Sequence, residues 1–76
     1  MISEDSPEHP YVQLAGILRA QIKGGLTGRL PPVTQLAERY EVSDATVKRA
    51  LRVLREEGLI YSVRGRGTFV GPRPAG

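Results

Sequence analysis

Cysteine is absent from this 76-residue chain, so it can form neither a disulfide framework nor a thiolate metal site. Histidine occurs once, as His9 in a polar N-terminal stretch, and no nucleophile–base pairing is recognisable. The chain therefore does not read as an enzyme, and no metal or cofactor is expected. No apolar run approaches the length of a membrane span. The N-terminus lacks the charged, apolar and small-residue succession of an export signal. A cytoplasmic protein without membrane contact is the expectation. Aromatic residues are also scarce, namely Tyr11, Tyr40, Tyr61 and Phe69. With 39% apolar residues, the chain suffices for one compact domain with a modest core, and not for two.

What the chain does have is positive charge in one place. The net charge of +3 is mild, but residues 1–47 sum to −2 and residues 48–76 to +5. The second part carries Lys48, Arg49, Arg52, Arg55, Arg64, Arg66 and Arg73 against Glu56 and Glu57. Basic charge gathered on one part of a small domain is an electrostatic footprint for polyanions, although a solvated helix face accounts for the charge alone equally well.

Residues 1–9 are polar, acidic and aperiodic, and read as a flexible N-terminal arm. Pro10 suits a first helical position, where its missing amide donor costs nothing. Leu14, Ile17, Leu18 and Ile22 recur at helical spacing, which predicts an amphipathic helix over 10–23, ended by Gly24-Gly25. After a short connection, Pro32 opens a second helix with Val33, Leu36, Ala37 and Tyr40 on one stripe. Barely two turns long, it must borrow stability from packing. Glu41-Val42-Ser43 reads as a tight turn, with Ser43 as N-cap of a third helix. There Val47, Ala50, Leu51 and Leu54 follow the i, i+3, i+4, i+7 rule and define the buried face, and Gly58 follows its end.

Leu59 to Val63 and Thr68-Phe69-Val70 predict two strands, with Arg64-Gly65-Arg66-Gly67 as the turn between them. An isolated hairpin is marginal, so Ile60, Val63 and Phe69 are expected to pack on the helices. Residues 72–76 contain two prolines and read as a tail or the start of a linker, leaving 10–71 as the domain. The predicted class is mainly α with a small β-hairpin. Its architecture is a winged helix-turn-helix of three helices and a two-stranded wing.

The third helix turns Ala45, Arg49, Arg52 and Glu56 away from its apolar stripe, with Lys48 beside them and Thr46 on the other flank. Small Ala45 permits close approach to a groove floor. Thr46 and Lys48 can reach base edges or phosphates, and Arg49 and Arg52 suit phosphate oxygens. Such a helix fits a major groove, read by its first turns. Arg64 and Arg66 flank Gly65, whose missing side chain allows backbone approach, and arginine gains from the potential of a narrow minor groove. The residues thus point to a module that grips a nucleic-acid duplex.

The motifs resemble the DNA-binding domain of the GntR family of bacterial transcription regulators. The matching pieces are Leu30-Pro31-Pro32-Val33-Thr34-Gln35-Leu36-Ala37, Val42-Ser43-Asp44-Ala45-Thr46-Val47-Lys48-Arg49-Ala50-Leu51, Glu57-Gly58-Leu59-Ile60 and Gly65-Arg66-Gly67-Thr68-Phe69-Val70. With the first helix, the resemblance covers about residues 10–71. It implies a winged helix that binds double-stranded operator DNA as a homodimer on inverted repeats, with the third helix in the major groove and the wing in the minor groove. A transcriptional regulator is expected, a repressor by preference, in the bacterial cytoplasm at the nucleoid.

Contacts in the family come from the starts of the second and third helices and from the wing. The resemblance therefore assigns DNA binding to Thr34 and Gln35, to Ser43, Asp44, Ala45, Thr46, Lys48, Arg49 and Arg52, and to Arg64, Gly65, Arg66, Gly67 and Thr68. Thr34, Asp44 and Lys48 replace arginines common in the family, so the operator is expected to differ from those of its familiar members. Glu41 stands where the turn usually has glycine. Most members continue into a C-terminal domain that binds a small effector and dimerises. An excised domain and a naturally minimal regulator both remain open for this chain, and a small-molecule effector is expected only in the first case. The alternative is a winged helix that docks protein or RNA. A protein-docking module should expose an apolar patch, and an RNA binder should offer more aromatics.

Overall fold

The computed structural model describes residues 8–72, so the expectations for residues 1–7 and 73–76 lie outside the described residues. The element order is α1 (Pro10–Lys23), α2 (Val33–Tyr40), α3 (Asp44–Glu56), β1 (Ile60–Val63) and β2 (Gly67–Val70). Each predicted element is present, in the expected order. No described helix is long and apolar enough to cross a membrane.

Pro10 occupies the start of α1, and the His9 carbonyl accepts from the amides of Val12 and Gln13 at 3.0 and 3.2 Å. At α3, Ser43 is the expected N-cap, its Oγ accepting from the Thr46 amide at 3.1 Å. The three helices end alike. The amides of Leu26, Val42 and Leu59 return to the carbonyls of Gln21, Ala37 and Leu54, and those of Gly25, Glu41 and Gly58 to Ile22, Glu38 and Arg55. This paired pattern is the Schellman ending, which needs a left-handed residue just past the helix. Gly25 and Gly58 supply it without strain, while Glu41 adopts φ 55° as the one non-glycine residue at positive φ among the described residues.

The core is the meeting place of the three apolar stripes. Leu14, Ala15 and Leu18 of α1, Leu36 and Ala37 of α2, and Val47, Ala50, Leu51 and Leu54 of α3 are buried with Leu30 and Ile60. A fully buried leucine contributes about 1.5–3 kcal/mol relative to exposure, so this cluster can carry α2 despite its length. No polar side chain is buried among the described residues.

The wing departs from expectation in one respect. Register pairs Ile60 with Val70, Tyr61 with Phe69, Ser62 with Thr68 and Val63 with Gly67. Gly67 therefore begins β2, and the tip is the three residues Arg64-Gly65-Arg66, closed by the Arg66 amide donating to the Val63 carbonyl at 2.9 Å. A four-residue turn would have set Phe69 opposite Ser62, on the face of Ile60. The shorter tip shifts register by one residue and turns Phe69 to the other face. Phe69 stacks on Tyr61 there, with ring centroids 5.7 Å apart, instead of entering the core. Val63 shares that outer face, and Leu59 and Val70 join Ile60 against the helices. The connection before α2 also pairs with the wing: Leu30 donates to the Thr68 carbonyl, and Val70 to the Gly28 carbonyl, both at 2.8 Å.

Candidate nucleic-acid interface

α3 separates its two chemistries cleanly. Val47, Ala50 and Leu54 are fully buried and Leu51 nearly so, while Asp44, Ala45, Lys48, Arg49 and Arg52 are exposed. Three cations thus stand on the outer side of a helix whose inner side is fixed in the core. Thr46 is half-buried, and its Oγ1 accepts from the Ser43 hydroxyl at 3.0 Å. These two hydroxyls stabilise the helix start as well as lining it. Asp44 lies in the first turn, where a carboxylate favours the helix dipole, so it has a structural role of its own.

Thr34 and Gln35 are exposed in the first turn of α2. Arg64, Gly65 and Arg66 are exposed at the wing tip, with Gly65 at φ 78° and open space around it. Gly67 and Thr68 are half-buried in β2 and are ladder residues rather than tip residues. Thr68 lies 3.4 Å from the Ser62 hydroxyl, itself 3.4 Å from an Arg55 nitrogen, which ties the wing to the end of α3.

Three residues at this surface carried no signal in the sequence. Arg29 pairs across from Phe69, and its guanidinium lies so close over Gly67 that an added Cβ would meet Nε at 2.8 Å. This places a further cation on the wing. At the opposite end, His9 and Tyr11 lie beside the start of α3, where a cleft of about 260 Å³ is lined by His9, Pro10, Tyr11, Ala45, Thr46 and Arg49. Tyr11 lies under Arg49, whose Cζ is 4.1 Å from the ring centroid. Sequence proximity gives no hint of either pairing, because each joins residues from distant elements.

Arg52 sits 3.6 Å from Glu56, one turn on, and both side chains are largely exposed. An exposed pair of this kind is worth about 0–1 kcal/mol and yields readily to a phosphate.

A sequence model described as bacterial regulatory proteins, gntR family, matches residues 10–70. The HTH-type transcriptional repressor NagR of Bacillus subtilis is 42% identical over 72 residues, covering 91% of this chain and 30% of its own length. The chain spans under a third of the length of such curated relatives. Among solved structures, a GntR family transcriptional regulator from Listeria monocytogenes superposes with a TM-score of 0.81 at 32% identity, covering 91% of this chain and 63% of that one. AraR(DBD) in complex with operator ORE1 superposes with a TM-score of 0.81 at 30% identity, covering 93% of this chain and 90% of that one.

Proposed function

The chain belongs to the gntR family of bacterial regulatory proteins, and on that footing we propose that it reads an operator duplex and represses transcription. The observation that carries this reading is the exposed Ala45–Lys48–Arg49–Arg52 side of α3, backed by a helix face that is almost wholly buried. Rigid backing matters, because a reading helix must hold its side chains in register with base edges. The first turns of α3 enter the major groove, where Ala45 allows approach and Thr46 and Lys48 reach base edges. Ser43 caps the helix start, and the Asp44 carboxylate beside it, which repels phosphate, can accept from a cytosine amino group. Arg49 and Arg52 contact phosphates.

Thr34 and Gln35 approach the backbone from α2, and Arg64, Gly65 and Arg66 of the wing enter the minor groove, with Gly67 and Thr68 holding the tip. The operator binding recorded for AraR(DBD) and the repressor activity of NagR support the assignment of duplex DNA as the partner. Two copies on an inverted repeat form the working unit, in the bacterial cytoplasm. Any small effector acts through chain beyond this domain.

Selection from a random DNA pool tests the proposal directly. One enriched motif with two-fold symmetry is expected. If about three to five phosphates are neutralised per protomer, the log–log slope of affinity against salt is on the order of −3 to −5 per protomer. No enrichment together with salt-independent binding would overturn the reading.

A further inference from the structure

Arg49 differs from Arg19, Arg52 and Arg55, whose guanidinium groups face polar protein groups. Arg19 commits its Nε and one terminal nitrogen to Glu57, Arg55 approaches Ser62, and Arg52 lies near Glu56. Among the described residues, Arg49 makes no hydrogen bond or ion pair. Its one strong contact is the face of the Tyr11 ring. A guanidinium stacked on an aromatic face is held through its π surface, so its in-plane N–H donors stay available at the edge.

The ring is itself well fixed. Tyr11 is half-buried against the core, follows Pro10, whose φ is locked, and stands in the first turn of α1. The His9 imidazole stacks beside it, centroids 6.1 Å apart and planes 19° from parallel. The helix that bears Arg49 is anchored on its opposite face by Val47, Ala50, Leu51 and Leu54. Platform and arginine therefore come from two elements that the core holds together.

We infer that Tyr11 is a positioning residue whose ring holds the Arg49 guanidinium, before any ligand arrives, as a preset clamp for one backbone phosphate at the cleft beside the start of α3. The inference rests on the duplex-binding reading above and adds to it a residue of α1 that touches no base. An unrestrained arginine loses rotamer freedom when it grips a phosphate. Stacking removes most of that loss beforehand, and immobilising one such side chain corresponds to about a two- to tenfold change in affinity.

The test is a double-mutant cycle on Tyr11 and Arg49, read as affinity for a duplex carrying the motif that the wild type enriches, with thermal midpoints measured in parallel. Tyr11→Phe keeps the ring and is expected to bind within about twofold of wild type. Tyr11→Leu keeps apolar bulk but removes the ring face, and is expected to lose about two- to tenfold. In an Arg49→Ala background, Tyr11→Leu is expected to cause no further loss.

Equal losses for Tyr11→Phe and Tyr11→Leu would overturn the inference by making the hydroxyl the active group. An unchanged Tyr11→Leu affinity would overturn it as well. So would the same Tyr11→Leu loss in both backgrounds, which is what a merely weakened fold produces. A wild type that binds no duplex, enriched or mixed-sequence, would overturn the duplex reading itself. A wild type that binds, with Tyr11 and Arg49 contributing additively, would overturn the clamp alone.

Discussion

Arg19, midway along α1, closes a two-pronged ion pair on Glu57, the residue that caps the end of α3: Nε lies 2.8 Å from one carboxylate oxygen and a terminal nitrogen 2.5 Å from the other. The fork-on-fork geometry is the strong form of the arginine–carboxylate contact. It ties the two longest helices together at the end away from the proposed groove-reading turns. Both side chains are about a third exposed, at 32% and 36%, so solvent screening keeps the contribution modest.

The pair makes stability depend on acidity. Hydrogen bonding from Arg19, followed by its charge, holds the Glu57 carboxyl below its ordinary value of 4.5. A depressed folded-state value means that the contribution is complete above the unfolded range and is lost as pH falls through the folded value. Thermal midpoints of wild type and Glu57→Gln should therefore differ at neutral pH, with wild type higher, and converge on acidification below 4.5. A constant difference from neutral to strongly acidic pH would show that the pair does not titrate as described.

Glu41 carries a backbone cost that glycine would remove. It occupies the left-handed position of a Schellman ending, as Gly25 and Gly58 do at the other two helices, with φ 55° and ψ 48°. A side chain there costs about 1–2 kcal/mol, partly offset because glycine loses more freedom on folding. Glu41→Gly should stabilise the domain by about 0.5–1 kcal/mol, raising the thermal midpoint by about 2–8 °C. A lowered midpoint would mean that the Glu41 side chain contributes more than its backbone costs.

Leu54, near the end of α3, is fully buried in the core cluster with residues of α1, α2 and β1. Leu54→Ala should cost about 2–5 kcal/mol, since both transfer energy and cavity count against it. That is a large part of the total stability of so small a domain. Urea unfolding should show a much lower midpoint with an unchanged slope. A shift below about 0.5 kcal/mol would mean that the core collapses around the gap.

The helices were legible because their signals are local. Pro10, the spacing of Leu14, Ile17, Leu18 and Ile22, the Ser43 cap and the Gly58 ending each act within a few residues, and α1 and α3 match expectation within a residue or two. The wing was legible as a hairpin but not in register. One residue more or less in the tip decides whether Phe69 faces the core, and Arg-Gly-Arg-Gly permits either length. Leu30, Arg29, Tyr11 and Arg19 stayed hidden for a different reason. Their partners, Thr68, Gly67, Arg49 and Glu57, lie on other elements, and no periodicity encodes a contact between elements. The candidate surface on α3 was legible because amphipathic spacing fixes both faces of a helix at once.

Lys48 and Arg52 should separate reading from holding. Both are exposed on α3, one turn apart, but Lys48 stands nearer the N-terminal turns that enter a groove, and Arg52 stands beside Glu56 toward the far end. Lysine near the groove floor can donate to a guanine edge, whereas an arginine farther along meets sugar-phosphate. Lys48→Ala should therefore broaden the motif enriched from a random pool. Arg52→Ala should leave that motif intact, weaken all duplexes alike and reduce the salt slope by about 1. The ion pair with Glu56 does not alter this expectation, because at 3.6 Å and with both side chains mostly in solvent it competes weakly with a phosphate. Identical motifs for wild type and the Lys48 variant would remove Lys48 from the reading set. A motif altered by the Arg52 variant would move the groove contact a full turn further along α3.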